Sequence, residues 1–339
     1  MLRFLGGAKN RQLLLEEYKN YFQKLQTKWE DGEYDFHGVI ISESEVELDR
    51  RRILGRGAYG TVYTARYNGA TIAVKECKRV SEAVYVTRLI RLDHENVVKY
   101  IGCVISDAYW ILMEYCENGD LASFIKNNEM TKTLFFDFAR QIVDGMEYLH
   151  SLGITHRDLK SPNILISRGN KLKIADFGSL TPHYTEYEDY STTARVGSPL
   201  WMAPEMANRK SVTNKIDVYS FGIVLYEMIV TFSASSTFAM LHMIYGNRPA
   251  VKDESIEAVI QACCASDSRK RPPFAGLNLL LADACHTSAN EEEFDEMLRE
   301  YRRIRDEQNE IWSRDNLSTA GASRRKTSTA TRNVKCSLL

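Results

Sequence analysis

Two short strings carry the chemistry of this chain: H-R-D-L-K-S-P-N, from His156 to Asn163, and D-F-G, from Asp176 to Gly178. Together they place a carboxylate, a cation, an amide and a second carboxylate within a short span. Asp158 can accept a proton from an attacking hydroxyl. Lys160 can neutralise charge building on a transferred phosphate. Asn163 and Asp176 offer hard oxygen ligands for Mg²⁺. Such a set moves a phosphoryl group. A lone D-F-G means little, because Asp and Gly also make ordinary turns; the two strings in this order are a far narrower signal.

A phosphate site is legible upstream. Gly55-Arg56-Gly57-Ala58-Tyr59-Gly60 matches G-x-G-x-x-G, which alone is weak. A dinucleotide fold would need a helix directly after the glycines and an acid about 20 residues on. Here the glycines run into T-V-Y-T-A-R-Y, an Asn68-Gly69 turn and A-T-I-A-V-K-E, the pattern of a β-hairpin. The acid at roughly that distance, Glu76, directly follows Lys75. A glycine flap over ATP fits better: Gly55, Gly57 and Gly60 let backbone N–H groups approach phosphate oxygens. Lys75, closing an apolar strand, either snorkels or binds the α- and β-phosphates; the flap favours the second. Leu54, Val62 and Ala73 would roof an adenine slot with Leu165 as its floor. Met113-Glu114-Tyr115-Cys116 reads as the connection between two lobes, with its backbone facing the adenine edge and Met113 limiting the depth. Taken singly, each apolar residue is more often core.

The elements that must hold these residues follow from periodicity. Strand patterns fill residues 48 to 115, interrupted by a helical pattern from Ser81, a plausible N-cap, to Leu92. C-E-N-G-D then breaks the pattern like a linker. Helical runs follow at 132–150 and 215–230, and a small helical region closes near Cys285. Residues 8–30 space Leu14, Tyr18, Tyr21, Phe22, Leu25 and Trp29 as an amphipathic helix, which either packs on the main domain or docks a partner. Residues 291–312 form a charged helix with Phe294, Leu298, Tyr301 and Ile304 on one side. From Arg314 onward the composition of Ser, Thr, Ala and Arg cannot bury a core, so a disordered tail is expected.

Composition narrows the class. The 339 residues are 44% apolar and 26% charged with a net charge of −1, ordinary for a soluble globular protein and without a field that would attract nucleic acid. No apolar run approaches the roughly 18 residues of a membrane span. The start, M-L-R-F-L-G-G, lacks the apolar core of a secretion signal and has Leu2 where myristoylation requires glycine. The 7 cysteines show no metal-ligand spacing and read as reduced, intracellular thiols, so a cytoplasmic location is expected.

On these strings, residues 48–285 resemble a eukaryotic protein kinase domain. Ala203-Pro204-Glu205 matches A-P-E, Asp217 to Gly222 resembles the start of the central helix of the large lobe, and Arg271-Pro272 fits the arginine that pairs with the A-P-E glutamate, here Glu205. The resemblance implies structural roles for Glu205, Asp217 and Arg271. It implies a bilobal α+β fold, a small antiparallel sheet with one helix (48–115) and a larger helical lobe (119–285). Flanking it would be a helical extension (1–47), the charged helix (286–313) and the basic tail (314–339). Lys160 two residues after the base is the serine/threonine pattern. Gly197-Ser198-Pro199-Leu200-Trp201-Met202-Ala203 looks like the substrate-binding loop of the tyrosine-kinase-like group, which includes the mixed-lineage and Raf-like kinases; Ser198 takes the position from which a hydroxyl bridges to Asp158 and Lys160. C-C-A-S-D-S-R-K-R-P-P-F at 263–274 points the same way. The implied reaction is transfer of the ATP γ-phosphoryl to serine or threonine of a protein in signalling, with Mg²⁺, catalysed by Asp158, Lys160 and Lys75.

The sequence also departs from the family. The glutamate that holds the strand lysine should fall near position 85, which is Tyr85; Glu82 lies about 4.5 Å earlier along a helix and is the candidate partner of Lys75. The alternative is a nucleotide-binding pseudokinase scaffold. Between Gly178 and Ala203, Thr185, Ser191, Thr192 and Thr193 are candidate phosphosites facing Arg157. Cys336-Ser337-Leu338-Leu339 fits a prenylation box, and Arg324, Arg325, Lys326, Arg332 and Lys335 would assist at an anionic membrane surface. A regulatory partner would use the N-terminal helix or the 291–312 helix.

Overall fold

Side chains that alternate between two environments organise the small lobe of the computed structural model, which describes residues 40–57, 60–78, 89–106, 108–176, 200–207, 212–230, 250–304 and 306–307. Strands β1 (Glu47–Gly57), β2 (Gly60–Tyr67), β3 (Ala70–Cys77), β4 (Tyr100–Ile105) and β5 (Tyr109–Glu114) form one antiparallel sheet in the order β1-β2-β3-β5-β4. Asn68 and Gly69, with φ of 47° and 76°, make the tight turn between β2 and β3 that the sequence foretells. Because successive strand residues face opposite sides, Ile72, Val74, Val104, Trp110 and Leu112 fill an outer core. Ala73, Cys77, Cys103, Ile111 and Met113 join the core beneath.

The outer core is completed from an unexpected direction. Ile41 and Val46 bury their side chains in it. Ile40 bridges to Cys103, and Ile41 N–H donates to the Cys103 carbonyl at 2.9 Å. Ser106 Oγ donates to Glu43 Oε2 at 2.5 Å. Residues 40–46 therefore close the β4 edge, which would otherwise present unpaired backbone; the expected extension contributes to the sheet.

The large lobe is built on helices α1 (Leu121–Asn127), α2 (Lys132–Ser151), α3 (Pro204–Ala207), α4 (Lys215–Val230), α5 (Glu254–Cys263), α6 (Phe274–Thr287) and α7 (residues 291–304). Asp120, Thr131 and Asp253 cap α1, α2 and α5 with their side-chain oxygens. Helix α4 is apolar on every side and buried from Ile216 to Ile229, which makes it the central post of the lobe. A short hairpin of β6 (Ile164–Ser167) and β7 (Lys171–Ile174) lies between the two strings that open the sequence argument. Four-residue strands are too short for periodicity to separate from helix, so that reading passed them over.

Helix α7 packs on the large lobe. The first half of its apolar side is spent inside the chain: Phe294 is fully buried, with ring centroids 5.7 Å from Phe135 and 6.0 Å from Phe136, and Leu298 is buried as well. Asp295 Oδ1 accepts from Lys132 N–H at 2.7 Å, placing a carboxylate at the positive end of α2. Lys132 Nζ donates to Ala289 O at 2.6 Å and Lys252 N–H to Tyr301 Oη at 3.0 Å. Of the residues expected to seek a partner, Phe294 already has one in α2 and Tyr301 is bonded to Lys252, while Ile304 stays exposed. The helix foreseen at 8–30, the small-lobe helix with Glu82 and Tyr85, the candidate phosphosites Thr185, Ser191, Thr192 and Thr193, and Cys336 lie outside the described residues.

If α7 is part of the fold, Phe294→Ala is expected to lower the unfolding free energy by about 3–5 kcal/mol in urea titration. The exposed Glu292→Ala is expected to change it by less than about 0.5 kcal/mol. Equal small effects would mean that the helix is only an appendage.

Candidate active site

Sheet register assembles the upper wall. Gly55 pairs with Val62, Val62 with Lys75 and Lys75 with Ile111, so flap, roof and lysine lie in one row across four strands. Ala73 pairs with Met113. Val62, Ala73, Met113 and Leu165 all pack in the continuous core between the lobes, and Leu54 is exposed. Of the roof and floor residues, Val62, Ala73 and Leu165 share that core and Leu54 does not. The three flap glycines differ: around Gly55 and Gly57 a Cβ would meet nothing within 4 Å, whereas at Gly60 (φ 153°) it would lie 2.1 Å from the Glu76 carbonyl. Gly60 is required by its contact with β3, while Gly55 and Gly57 leave room for a ligand.

The connection behind the pocket is fixed by charge. Glu114 Oε1 accepts from Lys99 N–H at 2.7 Å and pairs with Lys173 Nζ at 2.9 Å. Its side chain is thereby committed, and its backbone N–H donates to the Lys99 carbonyl at 2.9 Å. Burial, aided by the Glu114 charge, pushes the Cys116 thiol up to about 12, so the sulfur stays protonated.

Below, the catalytic string is folded around a buried carboxylate. Asp217, near the start of α4, accepts from His156 N–H at 2.7 Å and Arg157 N–H at 2.8 Å, and lies 2.9 Å from His150 Nε2. These bonds support Arg157 at φ 69°, a left-handed conformation that costs a non-glycine residue on the order of 1–3 kcal/mol. Past this bend, Asp158 Oδ2 meets Lys160 Nζ at 2.7 Å and Asn163 Nδ2 at 3.1 Å. Asn163 Nδ2 also donates to the Asp158 carbonyl at 2.8 Å. With its nitrogen so occupied, Asn163 offers its carbonyl oxygen, the donor a hard cation needs.

The two strings are stitched together. Ala175 N–H donates to Asn163 O at 2.9 Å, and His156 Nε2 lies 3.0 Å from Ala175 O. Asp176, at φ 58°, forms an ion pair with Lys75 across the interlobe cleft. Carboxylate, amide oxygen and lysine therefore converge from β3, the catalytic string and the end of β7. Arg271 makes a double ion pair with Glu205 at 2.6 and 2.8 Å, as the sequence implied.

Sequence reasoning missed Ser161, Trp201 and Glu227. Glu227 Oε1 accepts from Ser161 Oγ at 2.7 Å and Oε2 from Trp201 Nε1 at 3.2 Å, all three being buried. A signal existed: Glu227 is the lone acid in S-F-G-I-V-L-Y-E-M-I-V, a helix apolar all round, where an acid must be paired inside.

A model of the protein tyrosine and serine/threonine kinase family matches residues 48–281. The chain belongs to this protein kinase family. It is 37% identical over 255 residues to mitogen-activated protein kinase kinase kinase dlk-1 of Caenorhabditis elegans, covering 70% of this chain and 27% of that protein. It is 32% identical over 262 residues to mitogen-activated protein kinase kinase kinase 12 of Rattus norvegicus, covering 74% of this chain and 29% of the relative. The RGS domain-containing serine/threonine-protein kinase A of Dictyostelium discoideum is 32% identical over 270 residues, covering 74% of this chain and 23% of that protein. The chain thus aligns with between about a fifth and a third of each relative's length. The antiparallel small lobe and helical large lobe are the kinase fold. Residues 40–46 and α7 lie outside the family match yet supply core side chains to it.

Burial raises the Glu227 carboxyl to about 7 from an ordinary 4.5. The folded kinase therefore holds a proton there that the unfolded chain has lost. This contribution to stability is complete below about pH 4.5 and vanishes as pH rises through about 7. Relative to Glu227→Gln, the wild type is expected to lose on the order of 3 kcal/mol between about pH 4.5 and 8, measured by denaturant unfolding. A difference that stays constant with pH would contradict the assignment.

Proposed function

We propose that this kinase domain transfers the γ-phosphoryl group of ATP to a serine or threonine hydroxyl of a protein. The observation that carries the reading is the convergence of Asp158, Lys160 and Asn163 in one hydrogen-bonded set, stitched to Asp176 and through it to Lys75.

Roles follow from position. Asp158 orients the acceptor hydroxyl and takes its proton as the oxygen bonds to the γ-phosphorus and the bond to the β-phosphate oxygen breaks, releasing ADP. Lys160, beside that carboxylate, neutralises charge on the transferring group. Lys75 and Asp176 neutralise each other across the cleft; phosphate oxygens would take over the lysine, leaving the carboxylate for metal. Asn163 and Asp176 would hold Mg²⁺, which when bound neutralises charge on the phosphates. Leu54, Val62, Ala73 and Leu165 would enclose the adenine, with the backbone of Glu114 and Cys116 at its edge and Gly55 and Gly57 over the phosphates. Glu82 is proposed as a further partner of Lys75.

Lys160 and the name of the Dictyostelium discoideum relative, a serine/threonine-protein kinase, support a serine/threonine acceptor. The names of the Caenorhabditis elegans and Rattus norvegicus relatives support a substrate that is itself a kinase of a mitogen-activated cascade. Phosphorylation at Thr185, Ser191, Thr192 or Thr193 would engage Arg157 and order the substrate loop. Among the described residues no helix is long and apolar enough to cross a membrane. Neither the family match nor the relatives favour a non-catalytic scaffold.

Asp158→Asn is expected to reduce Mg²⁺-dependent phosphate transfer to a generic protein substrate by about 10²–10⁴-fold. Nucleotide affinity, measured by calorimetry, should stay within about 3-fold, because the adenine and phosphate contacts are elsewhere. Transfer at the wild-type rate by Asp158→Asn would overturn the assignment of the base.

A further inference from the structure

Residues 40–46 cover the small-lobe sheet from beyond the family match, and both apolar and polar contacts fasten them. Ile41 N–H donates to the Cys103 carbonyl of β4, and Ile41 and Val46 fill the outer core with Val104 and Trp110. Between these two anchors Glu43–Glu45 form a 3₁₀ turn. Two carboxylates hold that turn. Glu43 Oε2 accepts from Ser106 Oγ at 2.5 Å, and Glu45 Oε2 accepts from Ser42 N–H at 2.9 Å. Ser44 sits between these two acids; it is exposed, and its hydroxyl lies 2.8 Å from that of Ser42. Acids also follow it, Glu45 one residue on and Glu47 three residues on. Among the described serines, only Ser42 and Ser44 have an acid at both of those places.

We propose that Ser44 is a phosphorylation site whose modification unfastens residues 40–46 from the sheet. The modifying enzyme is a serine kinase with a basic acceptor groove, because acids on both sides of the hydroxyl pair with lysine and arginine and are repelled by an acidic groove. The Ser44 oxygen bonds to the γ-phosphorus of ATP, the bond to the β-phosphate oxygen breaks, ADP leaves, and the hydroxyl proton passes to the modifying enzyme. The product carries a charge of about −1.5 to −2 at pH 7. It stands beside the two carboxylates that hold the turn and repels both at once. Glu43 turning away gives up Ser106, and Glu45 turning away gives up the Ser42 N–H. A phosphate at a helix N-terminus would instead be stabilising, but Ser44 is the middle residue of a three-residue turn. Release uncovers the β4 edge of the sheet whose β3 strand carries Lys75. The acceptor lies outside the family match, so this inference does not depend on the kinase reading.

The full chain carrying Asp158→Asn serves as the acceptor, so that phosphate comes from the added enzyme and not from the chain itself. It is incubated with Mg·ATP and a purified serine kinase selective for an acid three residues beyond its acceptor. Phosphate is expected on Ser44, located by mass spectrometry of fragments. Amide hydrogen exchange at Ile41, whose N–H ties the segment to β4, should then quicken about 10-fold. The same chain with Ser44→Ala added, treated identically, should keep the slow rate. In about 1 M salt, where the screening length is about 3 Å, the acceleration should shrink to less than about 3-fold. An absence of phosphate on Ser44, or phosphate there with unchanged exchange at Ile41, would overturn the proposal. So would equal acceleration in the treated Ser44→Ala chain, or an acceleration that salt does not diminish.

Discussion

The Asp217 carboxylate is the constraint on which the site depends. Removing a carboxylate from water costs several kcal/mol unless donors replace the water. Asp217 is fully buried and is met by two backbone N–H groups of the catalytic string and by His150. The exchange benefits both sides. The carboxylate is solvated by the loop, and the loop is held in a bend, with Arg157 left-handed, that its own residues would not adopt. Asp158 emerges from that bend already aimed at Lys160 and Asn163. A reaction that relies on positioning and preorganised charge needs this rigidity more than it needs reactive groups.

Helix α4 extends the same logic. Asp217, Ser220 and Glu227 give it polar attachment points on an otherwise apolar surface, directed at the catalytic string and at Trp201. Tyr219 adds a fourth, with the Arg271 guanidinium 5.1 Å from its ring centroid while Arg271 holds Glu205. Opposing it across the cleft, β3 contributes Lys75. The ion pair with Asp176 links the two lobes where nucleotide phosphates would sit. Residues 40–46 and α7 stabilise the outer surfaces of the two lobes from beyond the bounds of the family match.

Much of this was legible because the chemistry is local in sequence. The catalytic string, D-F-G, the glycine flap and the strand lysine each announce a role by residue type and spacing. The strands and the two long helices follow from periods of two and 3.6. What escaped was non-local. Ser161 is an unremarkable letter until burial brings its hydroxyl within 2.7 Å of Glu227, and the lone acid of α4 does not say by itself what it will meet. The apolar side of α7 looked available because nothing in its sequence says that Phe135 and Phe136 will enclose Phe294. Gly60 looked like its two flap neighbours because only pairing with β3 reveals the Glu76 carbonyl against it. Strands of four residues, as in β6 and β7, carry too little pattern to be read at all.

The most direct measurement of the central claim is single-turnover phosphoryl transfer by Asp217→Asn, alongside its nucleotide affinity. The amide keeps the shape but offers one acceptor oxygen where two backbone N–H groups each need their own. The account predicts a folded protein that binds Mg·ATP within about 3-fold of wild type and transfers phosphate about 10²-fold more slowly. A folded Asp217→Asn protein that transfers phosphate at the wild-type rate would contradict it.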